Sequence, residues 1–571
     1  NSNQALTYRA MPNGIIRDAN KFLYRDPDNP TELPYSVLPK GGIMHKTDNR
    51  MSDYHFRATA NYNGTFDNRH TVNLFGGMET TDIDRTRTRF EGWGLQYESG
   101  EAPFYPYQHF KKSIEEGNDY YQLVNSNWRT VAFYGNATYS YRGRYVVNGT
   151  YRYEGSNQLG RNTDARWMST WNLSGAWNIH EERWFSKLAP LSHLTLRTSY
   201  SLTGTPPDPS LVSSTTIFRN STPYRLFASD QESGLAITEL GNALLTYEKK
   251  NEFNVGIDAG LWNNRINATL DVYTRNNYDE IGPMVTQGMS GQIVNWGNVA
   301  EMKSNGVELS ITSSNIKQKD FTWSTSFVFS YTNTEITKLF NNGRVIDLVS
   351  GNGFAMKGFP GLNDAGIPLF RNEKGTITTD DINFQERNNT GYLKYEGPTD
   401  PKFVGSLGNM LSYKGFHLNV FLTYSFGGVV RLDPKFRTRY TDMTSMTQTF
   451  LNRWMAPGDE KVTDVPGILS KRQFTQNRQL RYAYNAYNFS SVRTAKSDFI
   501  RLKEISLSYD LPASLFKDKG IRDVSVKLQA TNLFLLYSDK KLHGQDPEFL
   551  NAGGVASPMP KQFTLTLKFG I

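Results

Sequence analysis

Apolar residues occupy every second position at the end of this chain. Phe563, Leu565, Leu567, Phe569 and Ile571 alternate with Thr564, Thr566, Lys568 and Gly570. Successive side chains of a strand point to opposite faces, so the segment has one apolar and one polar face. The pattern recurs upstream in pairs. Tyr54, Phe56, Ala58, Ala60 and Tyr62 oppose His55, Arg57, Thr59, Asn61 and Asn63, and a DNR turn then leads into Val72, Leu74, Gly76 and Met78. Val255, Ile257, Ala259 and Leu261 pass through NNR into Ile266, Ala268, Leu270 and Val272. About fifteen such segments can be marked, with boundaries good to a few residues. They lie at 52–66, 70–84, 128–141, 143–156, 167–180, 192–204, 248–262, 266–281, 304–316, 320–336, 402–413, 416–428, 498–511, 524–537 and 560–571.

The connections between them alternate in length. One set is short (DNR, YRGR, NNR, KQK, KG), with only 181–191 and 512–523 longer; the other includes 85–127, 205–247, 337–401 and 429–497. Short periplasmic turns opposite long extracellular loops are the signature of an outer-membrane barrel. Closing into a barrel also removes the open edge that an amphipathic terminal strand would expose. A β-sandwich lacks this rhythm, and no repeat of propeller length is present. The expected fold is all-β, a transmembrane antiparallel β-barrel. With the C-terminus on the periplasmic side, every tight turn falls on that side. Arg57, Asn254, Asp258, Asp271 and Lys568 would then face inward.

Composition agrees. Hydrophobic residues make up 38% of the 571, and no window approaches the roughly 18–20 apolar residues of a spanning helix. A barrel strand needs only about 9–11 residues, half of them polar. Aromatics reach 13%, as interfacial girdles require. The absence of cysteine excludes disulfides, thiolate metal sites and thiol nucleophiles. The net charge of +8 contains no basic block, so nucleic acid is a poor fit. Asn1 follows no basic-then-apolar leader, which points to a removed signal peptide or a longer polypeptide.

Particular residues add a family resemblance. The run 140–204 contains SYRGRYVVNGTYRYEGSNQLG, STWNLSGAWNIHEERWF and LTLRTSYSLTGT. Then follow YEKKNEFNVGIDAGLWNNRINATLDVY (247–273), NWGNVAEMKSNGVELSI (295–311), GPTDPKFVGSLGNMLSYKGF (397–416), RWMAPGD (453–459), DFIRLKEISLSYDLP (498–512) and NLFLLYSDKKLHGQDPEF (532–549). In this order they resemble the barrel of SusC/RagA-type TonB-linked outer-membrane transporters of Bacteroidota. Asn157-Gln158 and Thr205-Pro206 depart from the pattern without touching the barrel assignment.

The resemblance implies a barrel of about 22 strands. The present chain would supply strands 8–22, with 1–51 as an extracellular loop region and 52–571 as the C-terminal portion of the barrel. The plug and the TonB-contacting segment would come from an upstream portion or a second chain. The resemblance further implies nutrient import across the cell outer membrane. Oligosaccharides or oligopeptides would be captured with a SusD-like surface lipoprotein, with the TonB complex engaged through the missing portion and lipid or lipopolysaccharide around the wall. No enzymatic activity is expected. The alternative is a passive channel or surface ligand-binding barrel without TonB coupling.

Candidate sites are few. His180-Glu181-Glu182 has metal-binding composition but falls in an expected periplasmic turn. Asp26, Asp28 and Glu32, and the pair Asp380-Asp381, are loop carboxylates suited to calcium, yet they lack the spacing of an EF-hand. No metal or other cofactor is expected, and solvated loop charge is the preferred reading. Asp546 and Glu548 of GQDPEF read as turn residues rather than an acid–base pair, and no catalytic residue is expected. Aromatics cluster in two loops: Trp93, Tyr97, Phe104, Tyr105 and Tyr107 in one, Tyr482, Tyr484, Tyr487 and Phe489 in the other. Such rings stack on sugars and pack on peptide side chains, which makes Trp93, Tyr97, Tyr105, Tyr482, Tyr484 and Tyr487 the substrate-binding candidates. Packing among loops or against a partner is the stronger reading, since large interfaces also favour Tyr and Trp.

Overall fold

The computed structural model describes the chain apart from residues 1, 10–22, 39–41, 96–106, 116–118, 158–165, 207–215, 222–233, 289–292, 433–435, 438–439, 441–447, 517–521, 550–559, 571 and the single or paired loop positions 27, 189, 243, 287, 341–342 and 352. Sixteen strands hydrogen-bond into one sheet in chain order. They are β1 (Ser2–Arg9), β2 (Gly42–Phe66), β3 (His70–Leu95), β4 (Tyr121–Tyr141), β5 (Tyr145–Ser156), β6 (Trp167–Asn178), β7 (Leu191–Thr205) and β8 (Glu248–Leu261). The second half comprises β9 (Ile266–Val285), β10 (Val294–Lys317), β11 (Phe321–Leu339), β12 (Phe403–Tyr413), β13 (Phe416–Phe426), β14 (Phe499–Asp510), β15 (Arg522–Ser538) and β16 (Gln562–Gly570). Every neighbouring pair tested by register is antiparallel, from β1 on β2 to β15 on β16.

Strands β2 to β16 coincide with the fifteen segments read from alternation. Several run further than a bilayer needs: β2 has 25 residues, β3 26 and β10 24, against about 9–11 for a crossing. The extra length lies at the long-loop ends, so the wall rises above the membrane. There the strand β2 starts at Gly42 and β1 pairs with its residues 43–50, inside the region read as loop (1–51). Alternation did not mark these segments, because residues such as 42–51 (GIMHKTDNRM) display no apolar series.

The tight turns follow from residues that tolerate left-handed backbone. Asp67 and Asn68 have φ of 50° and 49°, and Lys414 and Gly415 have 45° and 87°. Positive φ at both central residues is the type I′ geometry that matches strand twist.

Register separates the faces as alternation demands. Val255 pairs with Val272, which pairs with Val307, which pairs with Tyr331. This outer face stays open: Ile257 is 40% exposed, Leu528 58% and Leu565 61%. At about 25 cal/mol per Å², so large an apolar surface belongs against lipid. No described helix is long and apolar enough to cross a membrane. Strands do the crossing.

Two glycines let aromatic rings lie on the backbone. Tyr273 covers its pairing partner Gly306, where a Cβ would overlap the phenol ring. The Tyr273 hydroxyl shares a 2.9 Å hydrogen bond with Thr332 Oγ1, and the Arg275 guanidinium stacks 4.8 Å from the ring centre. Tyr424 covers Gly405 in the same way and donates to the Val328 carbonyl at 3.0 Å.

Above the long-loop rim, the segments after β11 and β13 fold together into a lobe. It contains helices α2 (Val345–Ser350), α3 (Lys471–Gln476) and α4 (Leu480–Asn488), preceded in the chain by α1 (Tyr107–Glu115) on the β3–β4 loop. Val345, Val349, Met356, Phe370, Phe436 and Tyr487 are buried in its core.

Candidate functional site

The lobe is built around α4. Leu480, Ala483, Tyr484, Ala486 and Tyr487 recur at helical spacing and are buried, which is the stripe a helix turns toward a core. Tyr484 and Tyr487 are each 2% exposed. Tyr487 meets Phe359 edge-on at 5.5 Å and Phe436 at 5.3 Å, while the Tyr484 hydroxyl donates to the Gly467 carbonyl. Burial pushes both phenols well above their ordinary range. Rings enclosed in this way have no face to offer a ligand, so these two candidates are core residues. Period-two and loop reasoning missed them because 471–488 was not read as helical.

Tyr482 sits on the other side of α4, half-buried. Its ring lies 6.0 Å from Phe384, and Arg481 stacks over it at 5.0 Å while donating to its hydroxyl at 3.1 Å. Trp93, on β3, is half-buried too. Its indole donates to Glu91 Oε1 at 2.8 Å and its ring lies 5.1 Å from His109 of α1. Tyr97 and Tyr105 lie outside the described residues. Among the described residues, no ring contact joins Trp93 to Tyr482.

Two buried arginines hold the lobe and its neighbouring loop. Arg431 donates to the carbonyls of Asn488 (3.2 Å), Val349 (3.1 Å) and Phe354 (2.8 Å), and stacks on Phe489 at 5.3 Å. Burial pulls its guanidinium down to about 10, which still leaves it charged at neutral pH. Arg501 projects from the loop end of β14 and is 4% exposed. Its Nη2 lies 2.5 Å from Asp546 Oδ1 and 2.7 Å from Glu548 Oε2. The carboxylates of GQDPEF therefore pin the β15–β16 loop to the wall. The sequence signal was present, two acids in one motif and an arginine in DFIRLKE, but nothing local linked them.

Of the remaining acidic candidates, Glu182, Asp26, Asp380 and Asp381 are occupied locally. The Tyr145 hydroxyl donates to Glu182 at 2.7 Å, with Trp177 and Arg144 beside it, and holds its carboxyl below the ordinary range. Asp26 accepts the Asp28 N–H at 3.0 Å. Asp380 accepts from Asn477 Nδ2 at 2.7 Å, and Asp381 from Asn372 at 3.2 Å. Among the described residues, no three His, Asp or Glu side chains converge on one point.

The inner wall is charged and internally paired. Glu79 accepts from Arg57 at 2.9 Å and from Arg152 at 2.7 Å, with the Tyr134 ring 5.7 Å from each guanidinium. Arg197 reaches Asp258 at 2.6 Å and Asp271 at 3.3 Å. Near the tight-turn rim a recess is lined by Asn267, Thr312, Ser324 and Asn419 together with Met410 and Phe421. Such a surface suits a hydrated or protein-filled interior.

Comparison with known proteins extends this geometry. The family described as "TonB dependent receptor-like, beta-barrel" matches residues 1–442. TonB-dependent receptor P3 of Formosa agariphila is 27% identical over 442 residues, covering 73% of this chain and 42% of that protein. TonB-dependent receptor SusC of Bacteroides thetaiotaomicron is 25% identical over 466 residues, covering 76% and 43%. The chain thus spans about half the length of the curated relatives it matches. The RagAB peptide transporter shares the fold, with a TM-score of 0.73 at 22% identity over 92% of this chain and 56% of that one.

Proposed function

The chain belongs to the TonB-dependent receptor-like β-barrel family of the outer membrane, and from that premise we propose that it forms the wall and extracellular lobe of a SusCD-type nutrient importer. The cargo is an oligosaccharide or oligopeptide captured together with a SusD-like surface lipoprotein. Remaining strands and a plug, from an upstream portion or a second chain, complete the barrel and connect it to the TonB complex. The observation that carries this reading is the pairing of a lipid-facing wall with a separately cored lobe on its extracellular rim. A passive pore needs the wall alone. The charge pairs of the inner wall suit contact with a plug. In this role the chain holds and positions cargo without covalent chemistry, and it calls for no cofactor.

The test is uptake of fluorescent oligosaccharide and oligopeptide pools by cells with and without this gene, each with and without TonB. Import that needs both supports the proposal. Uptake that survives loss of TonB assigns the passive-channel reading instead. Recovery of the protein from cells in plain buffer, without detergent, would refute a membrane role altogether.

A further inference from the structure

The net charge of the chain is unevenly placed in one respect that no run of cations reveals. From Val465 to Ser497 the sequence contains Lys471, Arg472, Arg478, Arg481, Arg493 and Lys496 and not one carboxylate. Six positive charges thus sit in one short stretch of a chain whose total is +8. The stretch includes α3 and α4. The apolar residues of α4 turn into the lobe, while Lys471, Arg472, Arg478 and Arg481 are all exposed. No ion pair is made by any of these four among the described residues. Asp380, a carboxylate that reaches the end of α3, bonds Asn477 instead.

Stability does not explain the arrangement. Neither helix has an acidic residue in its first turn, where the helix dipole would favour one. Lys471, Arg472 and Arg481 occupy those turns, at a cost of a few tenths of a kcal/mol or more each. A protein partner fits poorly as well. Between Ser470 and Phe489 there is no exposed large apolar side chain, whereas the centre of a protein interface is rich in aromatics and poor in lysine. Interleaved with the cations along the chain are Gln476, Gln479 and Asn485, all exposed amides, and the half-buried Tyr482 ring carries Arg481 over it.

We propose that the exposed cations of α3, of α4 and of the link between them together form a capture surface for an anionic oligosaccharide, one bearing carboxylates or sulfates along its length. The guanidinium forks match planar or tetrahedral oxyanions in bidentate fashion. The exposed amides suit sugar hydroxyls. Because the charges are exposed, they act chiefly on the rate of encounter, and salt screens them. This rests on the importer reading above and specifies its cargo.

The experiment uses the full-length transporter with its lipoprotein, purified in detergent, and reads association with immobilised oligogalacturonate by interferometry. The variant is K471Q/R472Q/R478Q/R481Q, and R472K/R478K/R481K keeps the charge as control. The quadruple variant is expected to lose at least about tenfold in association rate and most of its salt dependence. The lysine control keeps its salt-dependent association, and uncharged maltooligosaccharide of equal length shows no change. Unaltered association with oligogalacturonate overturns the proposal, as does an equal loss for the uncharged sugar. Release of the lipoprotein by the quadruple variant overturns it in favour of a protein interface. Oligoglutamate captured as well as oligogalacturonate overturns the assignment to a saccharide. Failure of the importer reading shows separately, as uptake by cells that does not depend on this gene, whatever the purified complex binds.

Discussion

Gly306 is a position in the wall where one added methyl group should be costly. Its register partner Tyr273 lies flat on it, 7% exposed, with a hydrogen bond to Thr332 and a stacked Arg275. In Gly306→Ala the new Cβ overlaps the ring. Either the sheet yields, at about 1–3 kcal/mol for overpacking, or the ring swings away. The second route forfeits about 1.5–3 kcal/mol of burial. It also gives up about 0.5–1.5 kcal/mol from the hydrogen bond and about 0.5–1 kcal/mol of cation–π attraction. The expected cost is on the order of 2–4 kcal/mol, the protein taking the cheaper route in part. Urea titration of the full-length transporter, read by heat-modifiable gel mobility, measures it. Tyr273→Ala removes the ring that the methyl strikes, so the two substitutions should be strongly non-additive, with a coupling of roughly 1–3 kcal/mol. Tyr273→Phe keeps the ring and should cost only about 1 kcal/mol. If Gly306→Ala is equally harmful with and without Tyr273, the ring-on-glycine account of this site is refuted.

Three further outcomes follow from the lobe and its loop. Arg431→Met strands the carbonyls of Asn488, Val349 and Phe354 in a buried setting and should destabilise the lobe by about 3–5 kcal/mol; limited proteolysis should then cut it while the wall stays resistant. Arg501→Gln leaves Asp546 and Glu548 without their shared cation, so protease should cleave near 539–549 much faster with barrel mobility on gels unchanged; equal cleavage rates would remove the latch. The lobe should also soften in acid. Backbone N–H groups of Asn388, Asn389 and Arg387 hold the Glu386 carboxyl below its usual 4.5, and those of Met455 and Ala456 hold Asp459 below 3.8. A carboxyl whose pKa is lower folded than unfolded stabilises above its unfolded value, and that help fades as pH falls through the folded one. Protease sensitivity of the lobe should therefore be flat from pH 7 to 5 and rise only below the ordinary carboxylate range. Softening between pH 7 and 5 would contradict the assignment.

The strands from β2 to β16, their faces and their tight turns were legible in the sequence because lipid on one side and polar contacts on the other impose a local contrast of period two. Residues such as Val255 and Asp258 carry their orientation with them. Where that contrast ends, so did legibility. Strand β1 and the first ten residues of β2 rise above the membrane, and there only hydrogen bonding to a neighbour makes them strands. The lobe is a still clearer case. Tyr482, Tyr484 and Tyr487 look alike in the sequence, yet two are core and one is half-exposed. That difference depends on where α4 meets Phe436 and Phe359, residues far away in the chain. The Arg501 latch joins residues 45 apart. Alternation is written residue by residue. Loop packing is a matter of which distant segments meet, and only the tertiary structure decides that.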